Sequence, residues 1–106
     1  MDAPLYAILL DGGFVRAVLK RRLERYPSAD DVEAECGRIS REFPAYELLR
    51  IYFYDAPPAT GTLTNPVDGS RLELSRTDEY RNAESLLSRL EMKPNFAVRT
   101  GETFSR

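Results

Sequence analysis

The amino-acid sequence predicts an α/β domain built on a short parallel sheet. Three segments, at residues 6–10, 48–54 and 95–100, have the length and the apolar composition of strands. Helical patterns lie between them, and strands that alternate with helices form parallel sheets with right-handed crossovers. We therefore predict an incomplete α/β fold with about three parallel strands and three helices.

Composition limits the possible functions. The 106 residues suffice for one small domain or part of one, and 15 basic against 17 acidic side chains give a net charge of −2. A global electrostatic attraction to nucleic acid is therefore not indicated. The absence of histidine excludes His-dependent triads and His-ligated zinc. With one cysteine and no run of about 18 apolar residues, we expect a soluble cytoplasmic protein without a membrane partner.

The first predicted strand leads into the main candidate site. Residues 6–10 (YAILL) show no alternation, so both faces of this strand are expected to be covered. Asp11 follows at the strand end, and Gly12 and Gly13 allow a sharp turn and a close backbone approach. A helix beginning near Phe14 would offer free N–H donors to an anion. A carboxylate beside such donors is compatible with a phosphoester site; alternatively, Asp11 only caps the helix or a turn.

Two helices are predicted next. The first covers residues 13–26 and stops before Pro27, and its polar side carries five basic residues: Arg16, Lys20, Arg21, Arg22 and Arg25. Such a cluster is either a solvated face or a local nucleic-acid contact. Ser28 is suited to cap a second helix that runs to about residue 42. Cys36 falls on its apolar stripe and is expected to be a small core residue.

The second predicted strand, residues 48–54, also ends in an acid, Asp55. If the first two strands are parallel neighbours, Asp11 and Asp55 lie at the same edge of the sheet, where ligands of such folds bind. The alternative for Asp55 is a turn cap before two prolines. The long segment 56–76 is rich in turn formers, and residues 67–70 could close a small hairpin.

The last predicted elements are a helix and a strand. Thr77 or Asp78 is suited to cap a helix that ends at residues 92–94. Residues 95–100 (NFAVRT) form the third strand candidate. No internal repeat or low-complexity segment divides the chain, so residues 1–106 are interpreted as a single domain.

Three motifs in this order resemble the NYN domain, in particular its LabA-like branch within the PIN-like nuclease superfamily. They are residues 7–14 (AILLDGGF), 51–57 (IYFYDAP) and 95–101 (NFAVRTG). The resemblance implies a three-layer, PIN-like or Rossmann-like parallel sheet and an endoribonuclease that depends on Mg²⁺ or Mn²⁺. Asp11 matches the first metal acid of the family, and Asp55 matches a second acidic position. Grouped carboxylates bind hard cations, which lower the pKa of water and stabilise a phosphoryl transition state.

The resemblance also implies that the chain is an amino-terminal half. The family's later metal acids would lie beyond residue 106, so we expect the chain alone to be inactive. Asp11 and Asp55 are the candidate catalytic residues, with Asp11 as the metal ligand. The candidate contacts to RNA are Gly12, Gly13, Arg16 and Lys20.

The same incompleteness predicts an open edge on the first strand. Unpaired apolar edges recruit other strands, so we expect a homo-oligomer or a partner chain that covers residues 6–10. The alternative function is a non-catalytic protein-interaction or RNA-binding module that uses this edge. Phosphate-transfer domains are less suitable, because a haloacid-dehalogenase-type phosphatase needs an acid where Gly13 stands and a receiver domain needs a further acidic pair.

Overall fold

The computed structural model describes residues 3–101. Its main elements, in chain order, are β1 (Leu5–Asp11), α1 (Gly12–Leu23), α2 (Ala29–Ser40), β2 (Glu47–Asp55), β3 (Thr62–Thr64), β4 (Arg71–Glu73), α3 (Asp78–Glu91) and β5 (Phe96–Thr100). A single 3-10 turn precedes α3. Among these residues, no helix is long and apolar enough to cross a membrane.

The main sheet is parallel and has the strand order β1-β2-β5. Ile51 in the central strand pairs with Ile8 on one side and with Phe96 on the other. The carboxyl ends of all three strands therefore meet at one edge, as the sequence predicted. This arrangement confirms the expected fold class, an incomplete α/β parallel sheet. The predicted hairpin is also present, as the antiparallel pair β3-β4.

The hydrophobic core lies between one face of the sheet and the three helices. The sheet contributes Ile8, Leu10, Ile51, Phe53 and Phe96. The helices contribute Leu19, Ala29, Val32, Cys36, Leu86, Leu87 and Leu90. Because alternate residues of a strand point to opposite faces, this side of the sheet buries every second residue. The described part of the chain thus has two layers, one of helices and one of strands, and not the three layers that the family resemblance implied.

The other face of the sheet is open, which corrects one prediction. Leu5 and Leu9 of β1 are 58% and 66% exposed, and Leu49 and Tyr54 of β2 are also exposed. The expectation that both faces of residues 6–10 are covered is therefore wrong within residues 3–101. The reason is topological: β1, β2 and β5 follow one another in a single direction, so crossovers of one hand place their helices on the same side. The lack of charged residues in 6–10 did not distinguish a strand that is buried on both faces from a strand, such as β1, that is buried on one face only.

Helix ends differ from the predicted ends by a few residues. α1 begins at Gly12 and ends at Leu23, three residues early, because Glu24 adopts the left-handed conformation (φ 57°) and donates its N–H to the Lys20 carbonyl. α2 is capped by Ser28 as predicted, in a reciprocal capping box with Asp31. It ends two residues before the predicted end. Thr77, one of the two predicted caps, is the N-cap of α3.

Candidate functional site

Asp11 is the exposed acid at the carboxyl edge of the sheet. It is the last residue of β1 and the N-cap of α1, and its Oδ1 accepts a hydrogen bond from the Phe14 N–H at 3.2 Å. Capping therefore occupies one lone pair of this carboxylate, and the rest of the group remains accessible to solvent. The helix-cap interpretation of Asp11 is confirmed, and the phosphoester-site interpretation stays a prediction.

The two successive glycines predicted a close approach of the backbone to a bound molecule. The backbone of Gly12 does approach closely, but its neighbours are protein side chains and not a ligand. It is buried at the first turn of α1. A Cβ at this position would lie 2.7 Å from Phe53 Cε1 and 2.8 Å from Asp55 Cγ. Gly13, in contrast, is exposed, and its nearest such neighbour is Asp11 Oδ1 at 3.6 Å. Of the two glycines, only Gly13 faces the space in which a bound molecule could lie.

Asp55 is almost fully enclosed by an ion pair. Its side chain is 5% exposed, and Arg16 Nη2 lies 2.9 Å from each of its carboxylate oxygens. The Ala56 N–H donates to Oδ1 at 2.8 Å. Oδ2 lies near the guanidinium without hydrogen-bond alignment, and it accepts no hydrogen bond from the described residues. The ion pair joins the end of β2 to the second turn of α1, and it therefore fixes the start of that helix.

The two acids line one depression at the carboxyl edge of the sheet. This open depression, of 490 Å³, is bounded by Leu9, Asp11, Tyr54, Asp55 and Arg99. Tyr54 pairs with Asp11 on one side and with Arg99 on the other. Within residues 3–101, no group of three or more acid, cysteine or histidine side chains is close enough together to hold a metal ion. The depression thus offers one accessible carboxylate, one enclosed carboxylate and a nearby cation.

The basic cluster, which comprises four residues of α1 and Arg25 just after it, is largely paired with other side chains. Arg16 is bound to Asp55, and Lys20 places its Nζ 4.3 Å from the centre of the Tyr26 ring. Arg22 and Arg25 pair with Glu35 and Asp31 of α2, at 3.0 and 2.6 Å. Three of the five cations are thus ion-paired within the protein, and both interpretations of the cluster, a solvated face and a nucleic-acid contact, stay predictions. Of the two candidate RNA contacts in this cluster, Lys20 is exposed and Arg16 is partly enclosed.

A second concave region, which sequence reasoning missed, lies between two helices. We call it the α1–α3 cleft. It has a volume of 220 Å³ and is lined by Gly13, Arg16, Lys20, Tyr26, Glu79 and Asn82, with apolar residues behind them. In the sequence, Glu79 and Asn82 are recognisable only as polar residues near the start of a predicted helix. No local pattern could have placed them opposite α1, because β2 and the hairpin separate the two helices in sequence.

Cys36 lies outside both concave regions. It is 2% exposed in the core, and burial raises the pKa of its thiol to about 11. The prediction that it is a core residue is confirmed.

The comparisons with known proteins add no assignment. No protein-family model, no curated protein and no solved structure matches the chain.

Proposed function

We propose that the chain supplies the first part of a PIN-like, metal-dependent site for RNA phosphodiesters, of the NYN type, with Asp11 as its first acidic ligand. One observation carries the proposal: Asp11 presents an accessible carboxylate at the carboxyl edge of a parallel sheet, beside the first turn of α1. Ligands of open α/β sheets bind at this edge. The first-turn N–H groups of the helix favour a phosphate there.

Mg²⁺ or Mn²⁺ suits the oxygen donors at this edge, and a bound ion would supply Lewis-acid stabilisation of a phosphoryl group. Asp11 is the residue that would hold the ion, through the carboxylate oxygen that does not cap α1. One accessible carboxylate makes a weak site, since these cations prefer several oxygen ligands. We therefore expect the remaining acids to come from outside residues 3–101, and we expect no RNA cleavage by this chain alone.

Asp55 has a supporting part in this proposal. With its side chain 5% exposed and bound to Arg16, it orients α1 against the end of β2. A buried, paired carboxylate is costly to release. Its contribution is thus to hold Asp11 and the first turn of α1 in place, whereas the sequence had suggested a catalytic acid.

Mn²⁺ titration tests the role of Asp11. We expect millimolar Mn²⁺ to broaden the amide NMR signals of residues around Asp11 by paramagnetic relaxation, and Asp11→Asn to abolish the effect. Asparagine is as good an N-cap as aspartate, so this variant removes the charge while α1 keeps its cap.

Asp68→Asn is the matched control, because Asp68 is an exposed aspartate in the β3–β4 turn that accepts one local hydrogen bond from the Ser70 N–H. Its broadening pattern should equal that of the wild type. Broadening that is absent near Asp11 in the folded wild type, or unchanged in Asp11→Asn, would contradict the proposal.

A second candidate function is protein association through the open side of the sheet. In the described residues β1 pairs only with β2, and its segment Leu5–Leu10 carries no charge. Natural edge strands are protected by charged residues, prolines or bulges that discourage pairing. The adjoining exposed face extends this surface with Leu5, Leu9, Leu49 and Tyr54, although it also carries the exposed Arg50, which pairs with Ala7. We propose a second copy of the chain as the occupant.

Light scattering coupled to size-exclusion chromatography tests this association. We expect a concentration-dependent dimer in the wild type and a shift to monomer in Leu9→Lys, because Leu9 lies on the open face and a second copy covering that face would bury the new charge. Val67→Lys is the control, since Val67 is 92% exposed in the hairpin. A wild type that stays monomeric at high micromolar concentration excludes self-association through β1.

A further inference from the structure

The α1–α3 cleft has two chemically different walls. On the α3 side, Glu79 Oε1 accepts a hydrogen bond from the Tyr26 hydroxyl at 3.1 Å, which leaves its other carboxylate oxygen for a ligand. Asn82 donates its Nδ2 hydrogen to the Asp78 carbonyl at 2.8 Å, so its side-chain oxygen is also an acceptor. On the α1 side the polar groups are the cations Lys20 and Arg16, of which Arg16 is already bound to Asp55. The cleft therefore presents acceptors on one wall and donors on the other.

We infer that the α1–α3 cleft binds a guanine base, and this inference rests on the proposed RNA function. Guanine has neighbouring N–H donors, at N1 and the exocyclic N2, beside the carbonyl acceptor O6. One donor would bind the free Glu79 oxygen in a charge-assisted hydrogen bond, and the other would bind the side-chain oxygen of Asn82. Lys20, whose Nζ lies over the Tyr26 ring, would donate to O6. Adenine, cytosine and uracil lack two adjacent donors on this edge, so each would leave an acceptor of the cleft unsatisfied.

The size and lining of the cleft also suit a base. Its 220 Å³ would hold roughly seven water molecules at about 30 Å³ each, which is sufficient for one planar base. The apolar part of its lining includes Ala17, Pro27, Ala83 and Leu86. Ring faces can pack on these side chains while the polar edge faces Glu79.

The cleft adjoins the Asp11 edge. Gly13 lines the cleft, and a Cβ on Gly13 would lie only 3.6 Å from Asp11 Oδ1. A nucleotide with its base in the cleft would therefore direct its sugar and phosphate toward the first turn of α1. The cleft thereby acts as a specificity pocket for the nucleotide next to the phosphodiester.

Titration with 5′-GMP in the presence of EDTA tests the inference without any metal. We expect saturable changes in the amide NMR spectrum centred on Ala17, Asn82 and Ala83. We also expect at least about tenfold weaker binding of AMP, CMP and UMP, the discrimination that a good pair of hydrogen bonds to one base edge supplies. Glu79→Gln should weaken GMP binding by about tenfold or more, because the amide replaces one acceptor with a donor. Glu91→Gln, on the same helix but outside the cleft, should bind like the wild type.

A second variant tests the location independently of charge. Ala17→Leu would fill the cleft from α1, and we expect it to abolish GMP binding while the helix persists, since leucine is a good helix former. The inference is overturned if GMP leaves the cleft signals unchanged, if all four nucleotides bind alike, or if the changes centre on Asp11 and persist in Ala17→Leu. None of these results depends on Mn²⁺ binding, so a failure here is distinguishable from a failure of the Asp11 proposal.

Discussion

Gly12→Ala tests the packing that fixes the start of α1. The added methyl carbon would lie 2.7 Å from Phe53 Cε1 and 2.8 Å from both Cβ and Cγ of Asp55. Carbon atoms pack favourably at about 3.5–4.0 Å, so something must move by nearly 1 Å. Phe53 is fully buried, and Asp55 is held by Arg16. Neither side chain can withdraw without loss of core packing or of the ion pair.

The expected cost follows from two opposing terms. Overpacking of a filled core costs about 1–3 kcal/mol. Replacement of glycine by alanine within a helix recovers up to about 1 kcal/mol, and less at a first helical position. We therefore expect Gly12→Ala to lower the free energy of unfolding by about 1–2 kcal/mol. For a domain of this size, that corresponds to a fall in Tm of roughly 5–15 °C.

Gly13→Ala is the matched control, because the two glycines are neighbours in the same turn. At Gly13 the added carbon meets only Asp11 Oδ1, at an ordinary contact distance of 3.6 Å. We expect this variant to raise the free energy of unfolding by about 0.5–1 kcal/mol, chiefly through a less flexible unfolded chain.

Urea unfolding followed by circular dichroism measures both variants, with equal m-values as the check that the transition is unchanged. A Gly12→Ala protein within about 0.5 kcal/mol of the wild type, or one stabilised like Gly13→Ala, would refute the close packing of α1 on the end of β2.

Three further predictions concern charges and the core. Arg16→Met should lower the free energy of unfolding by about 1–3 kcal/mol, because it leaves a buried carboxylate on β2 without its partner; Arg22→Met, at an exposed pair, should cost at most about 1 kcal/mol in the same urea assay. The hydrogen bonds that Arg25 and the Ser28 N–H donate to Asp31 hold the pKa of this carboxyl well below its usual range. The stabilisation by these hydrogen bonds is therefore full above about pH 4 and is lost as the pH falls further. Asp31→Asn should consequently flatten the acid limb of a curve of unfolding free energy against pH. Cys36 should resist a thiol reagent at pH 8 until urea unfolds the chain, since its thiol is buried and its pKa is raised to about 11; rapid labelling of the folded protein would show that the core opens easily.

The sequence alone determined the elements and much of their order. Helical and strand periodicity arises from neighbours a few residues apart, so α1, α2, β2 and α3 were predicted with only small errors at their ends. Alternation of strands with helices predicted the parallel sheet. Parallel strands place their carboxyl ends together, and this geometry predicts that Asp11 lies at the exposed edge of the sheet.

Only the tertiary structure decided what surrounds the site. The Arg16–Asp55 pair joins residues 39 positions apart, and the contact of Gly12 with Phe53 depends on how α1 crosses β2. The α1–α3 cleft and the one-sided cover of the sheet depend on strand order and on the face that each crossover occupies. Such contacts are set by three-dimensional packing between distant segments, which leaves no periodic signal in the chain. The position of Asp11 at the sheet edge could therefore be predicted from sequence, whereas the pairing of Asp55 with Arg16 could not.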